Sequence, residues 1–282
     1  MMVTKKDINL FFWYLMLAVI GVALIYPFLW LVGSSFKTTF EIFSDPSFIP
    51  QKPSLNGYIN GWKASGGASF GIFFRNTYIY VTVKVLVTVF AAIITSYGFA
   101  RFNFFLKKQL MAILIATLLF PGTVILVPSY LLFNWIGWVD SYLPLVVPSL
   151  FAGDTFFVFL LIQFFRTLPR DMDEAAMIDG CGAVRRLISI LIPLLKPAII
   201  TVVLFQFIWT GNEFLGPMIY IASEYNFPVA VGLKLSLDGA SGVIAWENTM
   251  AMSVLAIIPP LLAFVGAQRH FVEGISTSGL KG

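Results

Sequence analysis

The sequence predicts an all-α, polytopic membrane protein with six transmembrane helices, and three observations carry that prediction. Hydrophobic residues make up 59% of the 282 and charged residues 11%, with a mean hydropathy of +0.88; a soluble domain carries roughly 25% charged residues. Six apolar runs are each long enough to cross a bilayer as a helix. Lys and Arg gather in alternate connections, as the positive-inside rule requires. The net charge of +4 then follows from topology, and nucleic acid is not needed to explain it. The length suits one membrane domain, 1–282, of six spans with their loops.

The first run, 10–33, is about 24 residues, roughly 36 Å as a helix, enough to span with tilt. It lacks the short apolar core and small-residue cleavage site of a signal peptide, so it reads as a retained span. Ser34 to Arg75 follows, a long outer loop rich in Gly, Pro and Asn. A loop of this size implies a fold of its own or a partner. Its glycine-rich part, Gly61 to Gly71, reads as flexible.

The second span, 76–99, is rich in Val, Ile and Thr and ends in the basic turn Arg101 to Lys108. The third, 110–133, is broken by Pro121-Gly122 and Pro128, which free backbone carbonyls that neighbouring helices or water must satisfy. The fourth is 142–165, the fifth 198–221, and the sixth 250–267 with Pro259-Pro260 inside. A second sizeable loop, Ala222 to Thr249, precedes the sixth. Trp135 and Trp138, between the third and fourth spans, read as part of an outer aromatic belt.

With the N-terminus inside, the cytoplasmic segments hold Lys5, Lys6, Arg101, Lys107, Lys108, Arg166, Arg170, Arg185, Arg186, Lys196, Arg269 and Lys281. The outer loops hold Lys37, Lys52, Lys63, Arg75 and Lys234, and Lys84 lies within a span. Both termini and the polar segment 171–197 therefore face the cytoplasm.

That segment, DMDEAAMIDGCGAVRRLISILIPLLKP, interrupts a chain that is otherwise apolar. Asp171 with Glu174 three places on reads as a helix N-cap and capping box, with acidic residues in the first turn. Ala175 and Ala176 are small enough to keep one face thin. Gly180 can take φ > 0 as a C-terminal cap. A second helix from Ala183 returns to apolar sequence through Pro193. Cys181, the lone cysteine, allows no internal disulfide and reads as a small residue in the turn. The whole is a helix–turn–helix knob on a membrane surface.

The knob also carries a resemblance. EAAxxDG, nine residues, then I-x-L-P is similar to the signature of binding-protein-dependent ABC importer permeases. Here it reads Glu174-Ala175-Ala176, Gly180, Ile190, Ile192 (for the usual Leu) and Pro193. SYGFARFNF at 96–104, FVFLLIQFF at 157–165, NEFL at 212–215 and the terminal QRHFVEGISTSGLKG resemble the sugar branch, within it the MalG-like subunits of maltose-type importers. The likeness runs from the first span to Gly282; Ser278 stands where that family commonly has glycine.

The resemblance implies the type I ABC importer permease fold in a bacterial-type cell (inner) membrane. It also implies a homologous second permease subunit, two ATPase subunits beneath, an extracellular substrate-binding protein and a carbohydrate substrate, an oligosaccharide by family precedent. By the same resemblance Asp171, Glu174, Ala175, Ala176, Asp179, Gly180 and Pro193 couple to the ATPase. The tail, with Glu273, Gly274 and Lys281, enters the ATPase interface. ATP and Mg sit on the partner subunits, and no cofactor or metal is bound by this chain. The sequence offers no P-loop string GxxxxGK[ST] and no HExxH, and the single His270 cannot make a histidine-based metal site. His270 reads as an interfacial residue. An enzyme is therefore not expected.

Ionisable groups inside spans are costly in lipid and face a bundle interior or a cavity. Asp154 can pair with a neighbouring helix. For Asn212 and Glu213 two readings stand, lining the translocation path or bonding to another subunit. Lys84 reads as snorkelling to the outer interface. The rival class, a self-contained secondary carrier, needs inverted repeats and broken helices around intramembrane charges, and it has no use for the knob. A passive scaffold subunit would differ only in leaving uptake intact when removed.

Overall fold

A computed structural model describes residues 5–63, 68–238 and 244–279, with side chains over 9–63, 68–238 and 244–268. Among the described residues every regular element is helical. Helix α1 is Lys5–Ser34, α2 Thr39–Ser44, α3 Asn56–Lys63, α4 Phe70–Arg101, α5 Lys107–Leu119, α6 Gly122–Trp135, α7 Leu143–Leu150 and α8 Thr155–Thr167. Helix α9 is Asp171–Ile178, α10 Ala183–Arg186, α11 Ile192–Leu194, α12 Lys196–Gly211, α13 Leu215–Tyr220, α14 Val229–Asp238 and α15 Trp246–Gly279.

Four stretches are single helices or helix runs long and apolar enough to cross a membrane: Asn9–Ser34, Phe70–Arg101, Leu143–Thr167 and Trp246–Gln268. Two bent pairs, α5 with α6 at 103° and α10–α11 with α12 at 78°, bring the number to as many as six if each pair is one span. The bend after α5 has a local cause. Pro121 fixes its own φ at −63°, and Phe120 before it is extended at ψ 124°, as a residue preceding proline must be.

The continuous fifth span expected over 198–221 is interrupted. α12 ends at Gly211, and α13 starts only at Leu215. Pro217 explains it, because its ring would clash with the Glu213 carbonyl in an unbroken helix and it has no N–H to donate there. The fourth span opens likewise at 151–154, where Ala152 takes φ +59°.

The chain divides into two compact units. The first comprises Met1–Gly71 and Gly232–Ile258. Its loop after α1 is folded, as its length implied. The Lys37 ammonium is buried and donates to the carbonyls of Asp45 (2.9 Å) and Ser47 (2.5 Å). Thr38 caps α2, its hydroxyl accepting from the Glu41 amide. Thr39 donates to the Glu247 carboxylate and accepts from the Trp246 amide, tying α2 to the start of α15.

Gly57 and Gly61 are not loop glycines. They form one face of α3, where a Cβ on Gly57 would stand 2.6 Å from the Glu247 carbonyl oxygen and one on Gly61 3.1 Å from that of Asn248. Small residues of this kind let helix backbones approach. The flexible reading of Gly61 to Gly71 therefore fails at its ends, which lie in α3 and α4; 64–67, including Ser65, lies outside the described residues.

Among its described residues the second unit, Ile72–Val231 with Pro259–Gly282, holds two apolar clusters. Phe157, Val158, Leu161, Ile162 and Phe165 of α8 pack with Tyr97, Leu114, Leu191 and Val202. Tyr80, Val81, Val85, Leu145 and Tyr220 form the other. In lipid such packing stabilises through van der Waals contact and not through exclusion of water.

Candidate functional site

The second unit presents two features of functional interest, the knob and a cavity. In the knob, α9 is followed by a turn in which Gly180 takes φ +74°, the conformation its place at the helix end allows. The Gly180 amide donates to the Met177 carbonyl (3.0 Å) and the Cys181 amide to that of Ala176 (2.8 Å). The chain then runs through α10, a π-helical turn at Leu187–Leu191 and α11.

The expected capping box is absent. Arg170 holds the cap position in helical geometry, φ −72° and ψ −25°, and no side chain caps the helix. Asp171 is thus already the first helical residue and cannot fold back onto the amides. Asp171, Asp173 and Glu174 still place negative charge at the N-terminus, where the helix dipole favours it.

Ala175 and Ala176 do not share a face. Ala176 is buried against the chain's own body, and Ala175 is exposed with Asp179, Gly180 and Pro193.

Asp173 is the buried acid, and nothing in the run DMDE marks it out. Its Oδ2 lies 3.0 Å from Arg101 Nε, with the side chains only 11% and 6% exposed. This is an ion-pair contact without hydrogen-bond alignment. Arg186 Nη1 donates to the Asp173 carbonyl at 3.4 Å. Beyond this anchored side, Met177, Ile178 and Val184 are exposed, Ile178 at 88%. These three form an apolar cap on the side of the knob away from its buried polar anchor.

The cavity encloses about 430 Å³ and is lined by Lys84, Asp154, Glu213, Ser129, Phe133 and Tyr220 among others. Lys84 Nζ stands 3.7 Å from Glu213 Oε2, and Tyr80 Oη donates to the same oxygen at 2.8 Å. Thr88 Oγ1 donates to Asp154 Oδ2 at 2.5 Å. Lys84 therefore does not snorkel outward: an acidic partner on the break after α12 holds it inside.

Asn212 and Glu213 part company. Asn212 is exposed, its amide closing onto the Ile208 carbonyl at 2.9 Å, while Glu213 faces the cavity. Asp154 pairs with a neighbouring helix, α4, one of the arrangements open to it from sequence. Asn76, Tyr80, Lys84 and Thr88 recur every four residues along one face of α4. Asn76 donates to the carbonyls of Tyr225 and Phe227. That polar stripe in an apolar helix is the signal that could have gathered them from sequence. The side chains of Glu273 and His270, and Lys281 entirely, lie outside the described residues; Gly274 falls within α15. Among the described residues no three His, Cys, Asp or Glu are grouped so as to hold a metal.

Helices of membrane-spanning length, two bent pairs, a cavity lined by Lys84, Asp154 and Glu213 and a projecting helical knob suit a membrane transport subunit. The family model described as "Binding-protein-dependent transport system inner membrane component" matches residues 85–277. Among relatives, the polygalacturonan/rhamnogalacturonan transport system permease protein YtcP of Bacillus subtilis (strain 168) is 30% identical, over 98% of each chain. The trehalose/maltose transport system permease protein MalG of Thermococcus litoralis is 28% identical, over 92% of each. Among solved structures, a bacterial ABC transporter involved in import of the acidic polysaccharide alginate has the same fold. Its TM-score is 0.83 at 20% identity, covering 96% of this chain and 99% of that one. The chain belongs to the family of binding-protein-dependent transport system inner membrane components, a permease of the ABC importer type.

Proposed function

We propose that this chain forms half of the translocation pathway of an ATP-driven importer for carbohydrates. A homologous second permease subunit supplies the other half, and an extracellular binding protein delivers the substrate. Two separate ATPase subunits bind ATP and Mg and dock on the knob, so hydrolysis lies outside this chain. Both termini and α9 face the cytoplasm, the side favoured by the Lys and Arg distribution.

The observation that carries this reading is the apolar cap of Met177, Ile178 and Val184, held out on a helix anchored by a buried ion pair. A lipid-facing or idle loop has no use for such an anchor. The carbohydrate class draws on the substrates named for the relatives. It draws too on the cavity, whose carboxylates, hydroxyls and ammonium suit a polyhydroxyl solute beside the rings of Phe133 and Tyr220.

Ile178→Glu tests the docking. The side chain is 88% exposed, so the chain should insert and accumulate normally while ATPase subunits are lost from the membrane and uptake falls. Normal ATPase retention together with wild-type uptake would rule out the knob as the docking surface and leave the secondary carrier as the better account.

A further inference from the structure

One face of α4 grips the knob at two points. Tyr97 and Arg101, four residues apart, stand one above the other on that helix. Tyr97 Oη donates to the carbonyl of Ala183, the first residue of α10, at 3.1 Å. Arg101 Nε meets Asp173 of α9 at 3.0 Å, and its Nη2 donates to the Leu168 carbonyl, just past α8, at 3.0 Å. Arg186 reaches back from α10 to the Asp173 carbonyl.

The covalent connections of α9 are poorly suited to carrying force. One is the three-residue link 168–170, and the other passes through Gly180 at φ +74° and then a π-helical turn. By contrast α4 is a single 32-residue helix with no proline. Along it, Lys84 lies about 25 Å from Arg101 at 1.5 Å per residue.

A buried ion pair is weak evidence for stability, because desolvation offsets much of its attraction. What it does supply is a preference for one arrangement, since moving the knob away from α4 would leave both buried charges unpaired. We infer that Tyr97 and Arg101 are positioning residues that join the knob to α4, so that displacement of the knob is delivered to α4 and is not absorbed in the two connections. This rests on the coupling role proposed above.

The test uses the complete transporter in proteoliposomes and reads substrate transported per ATP hydrolysed. Replacing the pair by apolar residues, Arg101→Met with Asp173→Leu, removes the tie while sparing the desolvation cost. The complex should assemble and melt as wild type, and transport per ATP should fall about fivefold or more, the lower end of typical site-to-site coupling. The swap Arg101→Asp with Asp173→Arg should restore a large part of the ratio. Tyr97→Phe keeps the ring against Phe102 and Phe165 and should lower the ratio less, at unchanged abundance.

An apolar pair that transports at the wild-type ratio overturns the inference. So does an apolar pair that no longer assembles, since the residues would then only hold the fold. If the unaltered transporter hydrolyses ATP with no dependence on this chain, the coupling role itself fails, which is a separate result.

Discussion

Lys84 and Glu213 face one another across 3.7 Å, one from the middle of an unbroken helix and the other from the break between α12 and α13. The carboxylate also accepts from Tyr80, so either charge alone would be left in a poorly solvated place. Lys84→Met should lower the stability of the detergent-solubilised protein by about 1–3 kcal/mol. This is below the 3–5 of a fully buried pair, because Glu213 is 32% exposed toward the cavity. The double variant with Glu213→Gln should recover part of that loss. Thermal unfolding decides it, and no shift in Lys84→Met would mean that the pair is not an interacting unit.

Gly180 stands at φ +74° with open space where a Cβ would be. Only backbone strain opposes substitution there, roughly 1–2 kcal/mol for a β-branched residue. Asn tolerates this region. Gly180→Asn should therefore transport near the wild-type rate and Gly180→Val well below it, at equal membrane abundance. Equal uptake by the two variants would detach the turn from coupling.

Gly57 faces the opposite constraint, since its Cβ would press on the Glu247 carbonyl. Gly57→Ala should cost about 1–3 kcal/mol through overpacking against backbone. Gly21→Ala, whose Cβ meets nothing within 4 Å, should leave the melting temperature unchanged or slightly raised, since Ala is the better helix former. The two melting curves side by side check the packing of α3.

The carboxylate of Asp140 accepts from the Ser223 hydroxyl and amide and from the Ala222 amide. These bonds, that of the Ser223 side chain foremost, hold its pKa below the ordinary aspartate value. A lowered pKa gives stability that is complete above the unfolded-state value and lost as pH falls through the folded one, so the bonds should weaken below about pH 4. Hydrogen exchange at Ala222 and Ser223 should accelerate there. Asp140→Asn, which still tolerates the positive φ of 62°, should remove that pH dependence, and an unchanged profile would assign the effect to another group.

Orientation is open to a direct check. In a Cys181→Ser background, a cysteine at exposed Lys52 should react with an impermeant maleimide in intact cells, while native Cys181 in the unaltered protein should not. Reversed labelling would put the knob outside, where no ATPase can reach it.

Much of this was legible in the sequence because a bilayer leaves few choices: long apolar runs must be helices, and Pro121 announces its bend. The positive φ of Gly180 was legible for the same reason, as few residues accept that backbone. The break at 212–214 was less so, since its cause, Pro217, lies downstream of the break itself. Arg101 with Asp173, and Lys84 with Glu213, could not be paired from sequence. Their partners lie on different helices, and an acid that will be buried looks the same on paper as one that will stay in water.

The first unit is built from two stretches far apart along the chain. Residues up to Gly71 group with Gly232–Ile258, and the Gly57 and Gly61 face of α3 meets the backbone of Glu247 and Asn248. During synthesis that face must wait, uncovered, while nearly the whole of the other unit is threaded into the membrane. Contacts so distant along the chain form late. A nascent chain that stalls before Trp246 therefore leaves the glycine face of α3 without its partner, which makes this pairing a late step at which quality control can detect an unfinished molecule.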